Sequence, residues 1–383
     1  MKKSRLILIL SALVILVVTI IIYCNLNKVE KPNGSIKIAV VLPLSGNMAK
    51  IGVPKKNAFE LAALDINSIV NNKRIEFEYE DSKGTPKDGL SAFQKLLIDK
   101  SNQYFYIDLT PVVDACIPII NKNKVITFIG SAQAEVTERS DYLYRIFAGG
   151  EQEIELIVNH LISINKPKIF ILHTNELYGK TANDHLRELY SSIDGKIIGS
   201  DEYPVSQKDF KDIINKINQT NFDNLVILGY GLEFPSLLKQ LNETKFPLEK
   251  IVMNLGATNA QVVALGPQFT DGITFVGPRF TYLLENNQLN EKMANFVNKY
   301  KAKFNEVPDF RAAYAYDFVT ILYDAISKAN SNSIDIVGET IIETRNYDGV
   351  SGKISFKANR DSHTDLVLAK YKEGKMVLVH EIE

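Results

Sequence analysis

The strongest constraint on this chain is a repeated rhythm: an apolar run of strand length, a turn, then an amphipathic helix. Residues 36–41 (Ile-Lys-Ile-Ala-Val-Val) read as a buried strand, and 43–52 as a loop. Pro54 then opens a helix with Ala58, Leu61, Ala62, Ile66 and Ile69 on one face. Ile75, Phe77 and Tyr79 alternate as a second strand, and Leu90, Phe93 and Leu97 mark a helix. Strands follow at 104–109 and 125–129, with a helix over 112–121 between them. After Gly149-Gly150 the rhythm restarts. A helix carries Ile154, Ile157, Val158 and Leu161, a strand covers 169–172, and a helix runs from about 180 to 193. Ser206 with Asp209 reads as a capping box before a helix over 210–217. Strands at 225–228, 251–253 and 273–276 complete the pattern. A long helix over 310–328 presents Phe318, Ile321, Leu322 and Ala325 to a core. A hairpin at the end pairs 366–371 with 376–382 across Glu373-Gly374.

This order predicts an α/β protein with parallel, doubly wound sheets and right-handed crossovers. The 383 residues suit two domains of about 150 residues each. The halves join near 148–151 and 277–281, and the long helix returns to the first. The expected division is a first lobe of 36–148 plus 279–347 and a second lobe of 149–278 plus 348–383 that includes the hinge crossing. Two such sheets facing each other align the loops at their carboxyl edges along a ligand cleft.

Residues 1–28 differ from the rest. Lys2, Lys3 and Arg5 precede residues 6–23, which carry no charge. The length is near the lower limit for a membrane-spanning helix, and the basic start stays in the cytoplasm. Cys24 after this run also matches the layout of a lipoprotein signal, although bulky Tyr23 stands where a small residue is usual. Both readings tether an outward-facing body to the membrane, with 29–35 as a linker. Outside this segment only Cys116 remains, so the body has no internal disulfide. A formal net charge of −1 offers nothing to neutralise phosphates, which argues against a nucleic-acid partner.

The candidate site residues sit after strands. Ser45 and Gly46 follow the first, Thr110-Pro111 the third, and Gly130-Ser131-Ala132-Gln133 the fourth. The last of these is small and polar, and its hydroxyl and N–H groups suit a carboxylate. Tyr178 beside Gly179, and Tyr230 between Gly229 and Gly231, are candidate cleft walls that pack by the ring and donate by the hydroxyl. The plainer readings are a helix cap for Ser45, an ordinary turn for 130–133, and rim packing for the tyrosines.

The chain resembles the type I periplasmic binding proteins, in the branch that serves ABC importers of leucine, isoleucine and valine. The resemblance spans roughly 36–383. It is carried by residues 38–46, by Gly52 and 61–67, by 80–86 and by Tyr178-Gly179. Asp209-Phe210, 228–231 and 314–317 complete it. It implies that Ser131, Ala132 and Gln133 hold a ligand carboxylate, that Thr110 contacts ligand, and that Tyr178 and Tyr230 close over it. It also implies a membrane permease as partner, or a membrane sensor. The family's acid after the strand at 251–253 is missing, since Asn254-Leu255-Gly256-Ala257 stands there, with Gly256 as the contact position. A buried ammonium needs an opposite charge or several acceptors. Asp108, where the family has a small residue, could supply one; it could equally cap a helix. The ligand is therefore expected to be amino-acid-like, an amide, a carboxylate or an aromatic acid. No nucleophile elbow, metal-binding His pair, phosphate loop or dinucleotide fingerprint is present, so no enzyme, cofactor or metal is read. The alternative is an envelope sensor or protein-docking module on the same fold.

Overall fold

A computed structural model describes residues 35–66, 69–70, 73–133, 135–205, 207–331 and 333–379. The N-terminal membrane segment, Cys24 and nearly all of the linker lie outside them. Among the described residues, no helix is long and apolar enough to cross a membrane.

The first sheet holds β1 (Ser35–Leu42), β2 (Ile69–Val70), β3 (Lys73–Asp81), β4 (Asn102–Asp108), β5 (Ile126–Gly130) and β6 (Leu143–Arg145). Its spatial order is β2-β3-β1-β4-β5-β6, parallel throughout except for the β2–β3 edge. The second sheet holds β7 (Ile169–Thr174), β8 (Ile197–Tyr203), β9 (Asn224–Leu228), β10 (Ile251–Met253) and β11 (Thr274–Pro278), parallel in the order β11-β10-β9-β7-β8. A three-stranded sheet follows, of β12 (Tyr347–Asp348), β13 (Lys353–Phe356) and β14 (Ser362–His363). The antiparallel hairpin β15 (Leu366–Lys372) and β16 (Lys375–Leu378) then extends the second sheet beyond β11. Central strands such as β5 and β9 are buried along their whole length, because helices cover both faces and leave no side for water.

Four details differ from the sequence expectation. The first helix spans Ala49–Asp65, so Pro54 lies inside it. The bond that Pro54 cannot donate would have reached the carbonyl of Lys50, an exposed residue that water can satisfy. Gly52 therefore belongs to the helix, where a Cβ would meet the Pro43 carbonyl oxygen at 2.2 Å; the glycine lets helix and loop touch. The expected capping box falls on Ser206, outside the described residues; the helix runs Lys211–Gln219 with Phe210 at its N-cap. The helix expected from 180 spans Leu177–Ser192, because Glu176 accepts from the N–H groups of Tyr178 and Gly179 and starts it earlier. Finally, residues 348–363 pack on the first lobe instead of the second. Buried Asp317 of the helix Phe310–Ala329 accepts from Val350 N (2.7 Å), Ser351 N (2.8 Å) and Ser351 Oγ (2.6 Å), which holds this segment there.

The helix Phe310–Ala329 packs on Ala49–Asp65 and closes the first lobe's core. The Phe318 ring lies 5.4 Å from Phe59, 5.2 Å from Tyr106 and 4.7 Å from Phe128. Such aromatic contacts add to area burial. Phe318→Ala should lower the unfolding free energy by about 3–5 kcal/mol, read from the midpoint of denaturant unfolding.

Candidate functional site

The carboxyl ends of the strands in the two sheets enclose a cavity of about 40 Å³. At roughly 10–15 Å³ per water, that is room for about three or four water-sized groups. The first lobe contributes Asp108, Leu109 and Thr110 where β4 ends, and Gly130 and Ala132 where β5 ends. Helices add Ile51, Lys55 and Arg311, and Phe147 lies where the chain leaves for the second lobe. The second lobe contributes Tyr178, Gly229, Tyr230 and Leu255.

The first-lobe wall is ionic. Lys55 and Asp108 are both buried, and Nζ donates to Oδ1 at 2.5 Å. Nζ also approaches the Tyr106 hydroxyl at 3.4 Å and stands 5.1 Å from the Phe147 ring centre. Burial pulls the Lys55 ammonium below its ordinary range, and Asp108 opposes that pull. Oδ2 of Asp108 has no hydrogen-bond partner. The next residue, Leu109, has φ +71° and ψ +129°, a conformation that L side chains avoid. It turns the chain sharply from β4 into the helix Thr110–Asn123. Thr110 Oγ1 and Ser131 Oγ lie 3.0 Å apart, so one hydroxyl proton bridges them and the other is free for a third group.

The second-lobe wall is aromatic. Tyr178 and Tyr230 pack 5.2 Å apart, and their hydroxyls bond to groups within the second lobe. Tyr178 donates to Glu153 (3.0 Å) and accepts from Asn254 (2.5 Å); Tyr230 donates to Glu176 (3.1 Å). The expected hydroxyl donation to ligand is thus committed elsewhere, and the rings remain. Arg311 bridges the lobes by donating to the Tyr230 carbonyl (3.3 Å) while Asp309 (2.9 Å) neutralises it.

A second buried cation organises the loop after β5. Arg145 is fully buried and reaches both oxygens of Asp361 at 2.5 Å, Glu151 at 2.8 Å, the Gln133 carbonyl at 2.6 Å and the Ser131 carbonyl at 3.4 Å. It therefore ties residues 131–133 to two of the chain's crossings, near Glu151 and near Asp361.

Of the expected residues, Asp108, Thr110, Ala132, Tyr178 and Tyr230 line the cavity. Asp108 is an ion-pair partner of Lys55 and caps no helix. Ser131 stands one hydrogen bond behind Thr110, and its Oγ accepts from Gln133 N at 3.2 Å, which takes one expected carboxylate donor. Gln133 does not line the cavity; its backbone serves Arg145 and Ser131. Ser45 is exposed and donates to Asp81 at 2.5 Å, ordering its own loop. Gly256 is a packing position, where a Cβ would lie 2.6 Å from the Gly229 carbonyl oxygen; Leu255 lines the cavity instead. Lys55 and Arg311 went unread in the sequence, although each is a cation on the apolar face of a helix. Among the described residues, no cluster of metal-ligating side chains occurs.

Glu153, behind Tyr178, is pushed by burial from 4.5 up to about 7, against the bonds it accepts from Leu255 N and Tyr178. The folded chain thus binds this proton more tightly than the unfolded chain. The stability Glu153 contributes is complete below its unfolded value and is lost as pH rises through about 7. Glu233, likewise raised to about 7 by burial, acts in the same direction. Thermal unfolding should therefore shift to lower temperature between about pH 5 and about 7.5, and Glu153→Gln should flatten part of that slope; equal slopes would refute the assignment.

Comparison with known proteins agrees with this architecture. The periplasmic binding protein family matches residues 35–375. The Leu/Ile/Val-binding protein homolog 3 of Brucella melitensis is 21% identical over 350 residues, covering 89% of this chain and 93% of the relative. Among solved structures, the branched-chain amino acid transporter substrate binding protein LivJ from Streptococcus pneumoniae, in complex with isoleucine, superposes with a TM-score of 0.77 at 23% identity. The match covers 89% of this chain and 97% of that one. A solute binding protein of an ABC transporter from Rhodopseudomonas palustris, in complex with 3,4-dihydroxy benzoic acid, gives 0.79 at 19% identity, covering 90% and 96%. With two parallel-sheet lobes around a lined cavity and a family match over nearly its whole body, the chain belongs to the periplasmic binding proteins.

Proposed function

We propose that this chain is an extracytoplasmic solute-binding protein that captures a small organic ligand between its lobes and presents the closed form to the permease of an ABC importer. The observation that carries the reading is the cavity itself, lined by buried polar groups of one lobe and ring faces of the other. A ligand that touches both walls stabilises closure by its differential affinity for the closed form. The crossings near Arg145–Glu151 and Asp361, with the one near 277–281, act as the hinge. The family and its relatives, named for binding leucine, isoleucine and valine, support the class of function. The uncharged apolar stretch before Cys24 supports a tether, by a retained helix or a lipid; the intact mass of the membrane-extracted protein distinguishes the two.

A thermal-shift screen of amino acids, amides and small carboxylates tests the reading. A true ligand at a hundredfold excess over its Kd should add about 2.7 kcal/mol and raise the unfolding temperature. Tyr230→Ala should keep the fold and weaken that ligand's binding by at least about tenfold, since it removes one ring face of the cavity. A panel without any shift counts against solute binding and for a protein-docking role.

A further inference from the structure

The cavity's charges and unfilled bonds define a narrower ligand class than the fold does; the argument rests on the solute-binding reading above. The two cations at the cavity each carry an acid partner: Lys55 with Asp108 and Arg311 with Asp309. Three further acids stand behind the second-lobe wall: Glu153 and Glu176, bonded to the hydroxyls of Tyr178 and Tyr230, and Glu233, bonded to that of Tyr203 beside Gly229. A ligand carboxylate would therefore enter a site whose cations are already matched and whose far wall is backed by acids. A ligand ammonium would have to share Asp108 with Lys55 Nζ, already 2.5 Å from Oδ1. Either adds a charge with no unmatched counter-charge to a site whose charged side chains are themselves buried, which is unfavourable. A neutral ligand adds none.

The open valences are equally specific. Asp108 Oδ2 is buried without a partner, so the site lacks a donor there. The free hydroxyl proton of the Thr110–Ser131 pair and the spare Lys55 donor lack an acceptor. One donor and one acceptor on two atoms bonded to the same carbon are what an amide group carries. The cavity of about 40 Å³ suits a small remainder, packed on the faces of Tyr178 and Tyr230.

We propose that the cleft binds a small neutral amide, of the carboxamide or urea type, whose N–H donates to Asp108 Oδ2 and whose oxygen accepts from Lys55 or the Thr110–Ser131 hydroxyls.

Calorimetry on the full-length chain in detergent micelles, with acetamide, propionamide, urea, propionate and isoleucine as probes, tests this. Propionamide and propionate have nearly the same shape, so they read the donor requirement in the native protein without any mutation. Propionamide should bind roughly 10- to 100-fold tighter than propionate, the value of a hydrogen bond to a charged group. The double variant Lys55→Met/Asp108→Leu removes both charges together, which a fold tolerates far better than an orphaned one. It should stay folded by circular dichroism and lose amide binding by at least about a hundredfold. Tighter binding of propionate or isoleucine than of any amide overturns the proposal and leaves solute binding standing. Amide binding retained in the double variant also overturns it. Silence from all five probes overturns the proposal and counts against the solute-binding reading as well.

Discussion

The architecture depends on one buried guanidinium. Arg145 ends the last strand of the first sheet, where the chain departs for the second lobe. A guanidinium without water must place its donors on protein acceptors, and this one uses a paired carboxylate, a second acid and two carbonyls. Those partners come from three separate segments: the loop after β5, the start of the outgoing helix, and the segment returning near residue 361. Removing the arginine would strand Asp361 and free the loop together, so the cavity wall and the interlobe crossing share one support. The loop's carbonyls turn back to Arg145, and of its side chains Ala132 meets the cavity.

Parallel sheets account for the rest of the placement. Each crossover returns the chain to the amino edge, so every strand leads into a loop on the same side. Strained Leu109 and the early helix start at Glu176 both sit at that edge. There the backbone departs from its easiest path, and there the side chains that meet the cavity are aimed.

The sheets, the long returning helix and the terminal hairpin were legible because apolar runs and helical stripes have distinct periods. Thr110 and the two tyrosines were legible from their places after strands, and Asp108 from the family resemblance, as an acid where the family has a small residue. Lys55 and Arg311 were not, because an apolar face reads as core and a cation within it as a boundary of the stripe. What makes Lys55 part of the site is Asp108, more than fifty residues away on another element, and no local pattern encodes that pairing. Ser45 and Gly256 lie outside the cavity lining for a related reason. A serine or glycine after a strand serves loop order or close packing as readily as ligand, and only Asp81 and the Gly229 carbonyl decide between them. The contact of Val350 and Ser351 with the first lobe was not legible, because Asp317 captures them by long-range bonds that no local turn signal encodes.

The unlike walls of the cavity have a consequence for how it closes. The polar groups in the first lobe are largely preformed, since Lys55 holds Asp108 and Ser131 holds Thr110 without help from the second lobe. A ligand can therefore satisfy its hydrogen bonds on the first lobe while the cleft is open, at little ordering cost. The second lobe then adds apolar contact, from ring faces whose hydroxyls are already committed. Its contribution scales with area covered and is indifferent to hydrogen-bond geometry. On the solute-binding reading proposed above, the first lobe supplies the hydrogen bonds and the second the apolar area. The Arg311 bond to the Tyr230 carbonyl joins the two walls through protein groups alone.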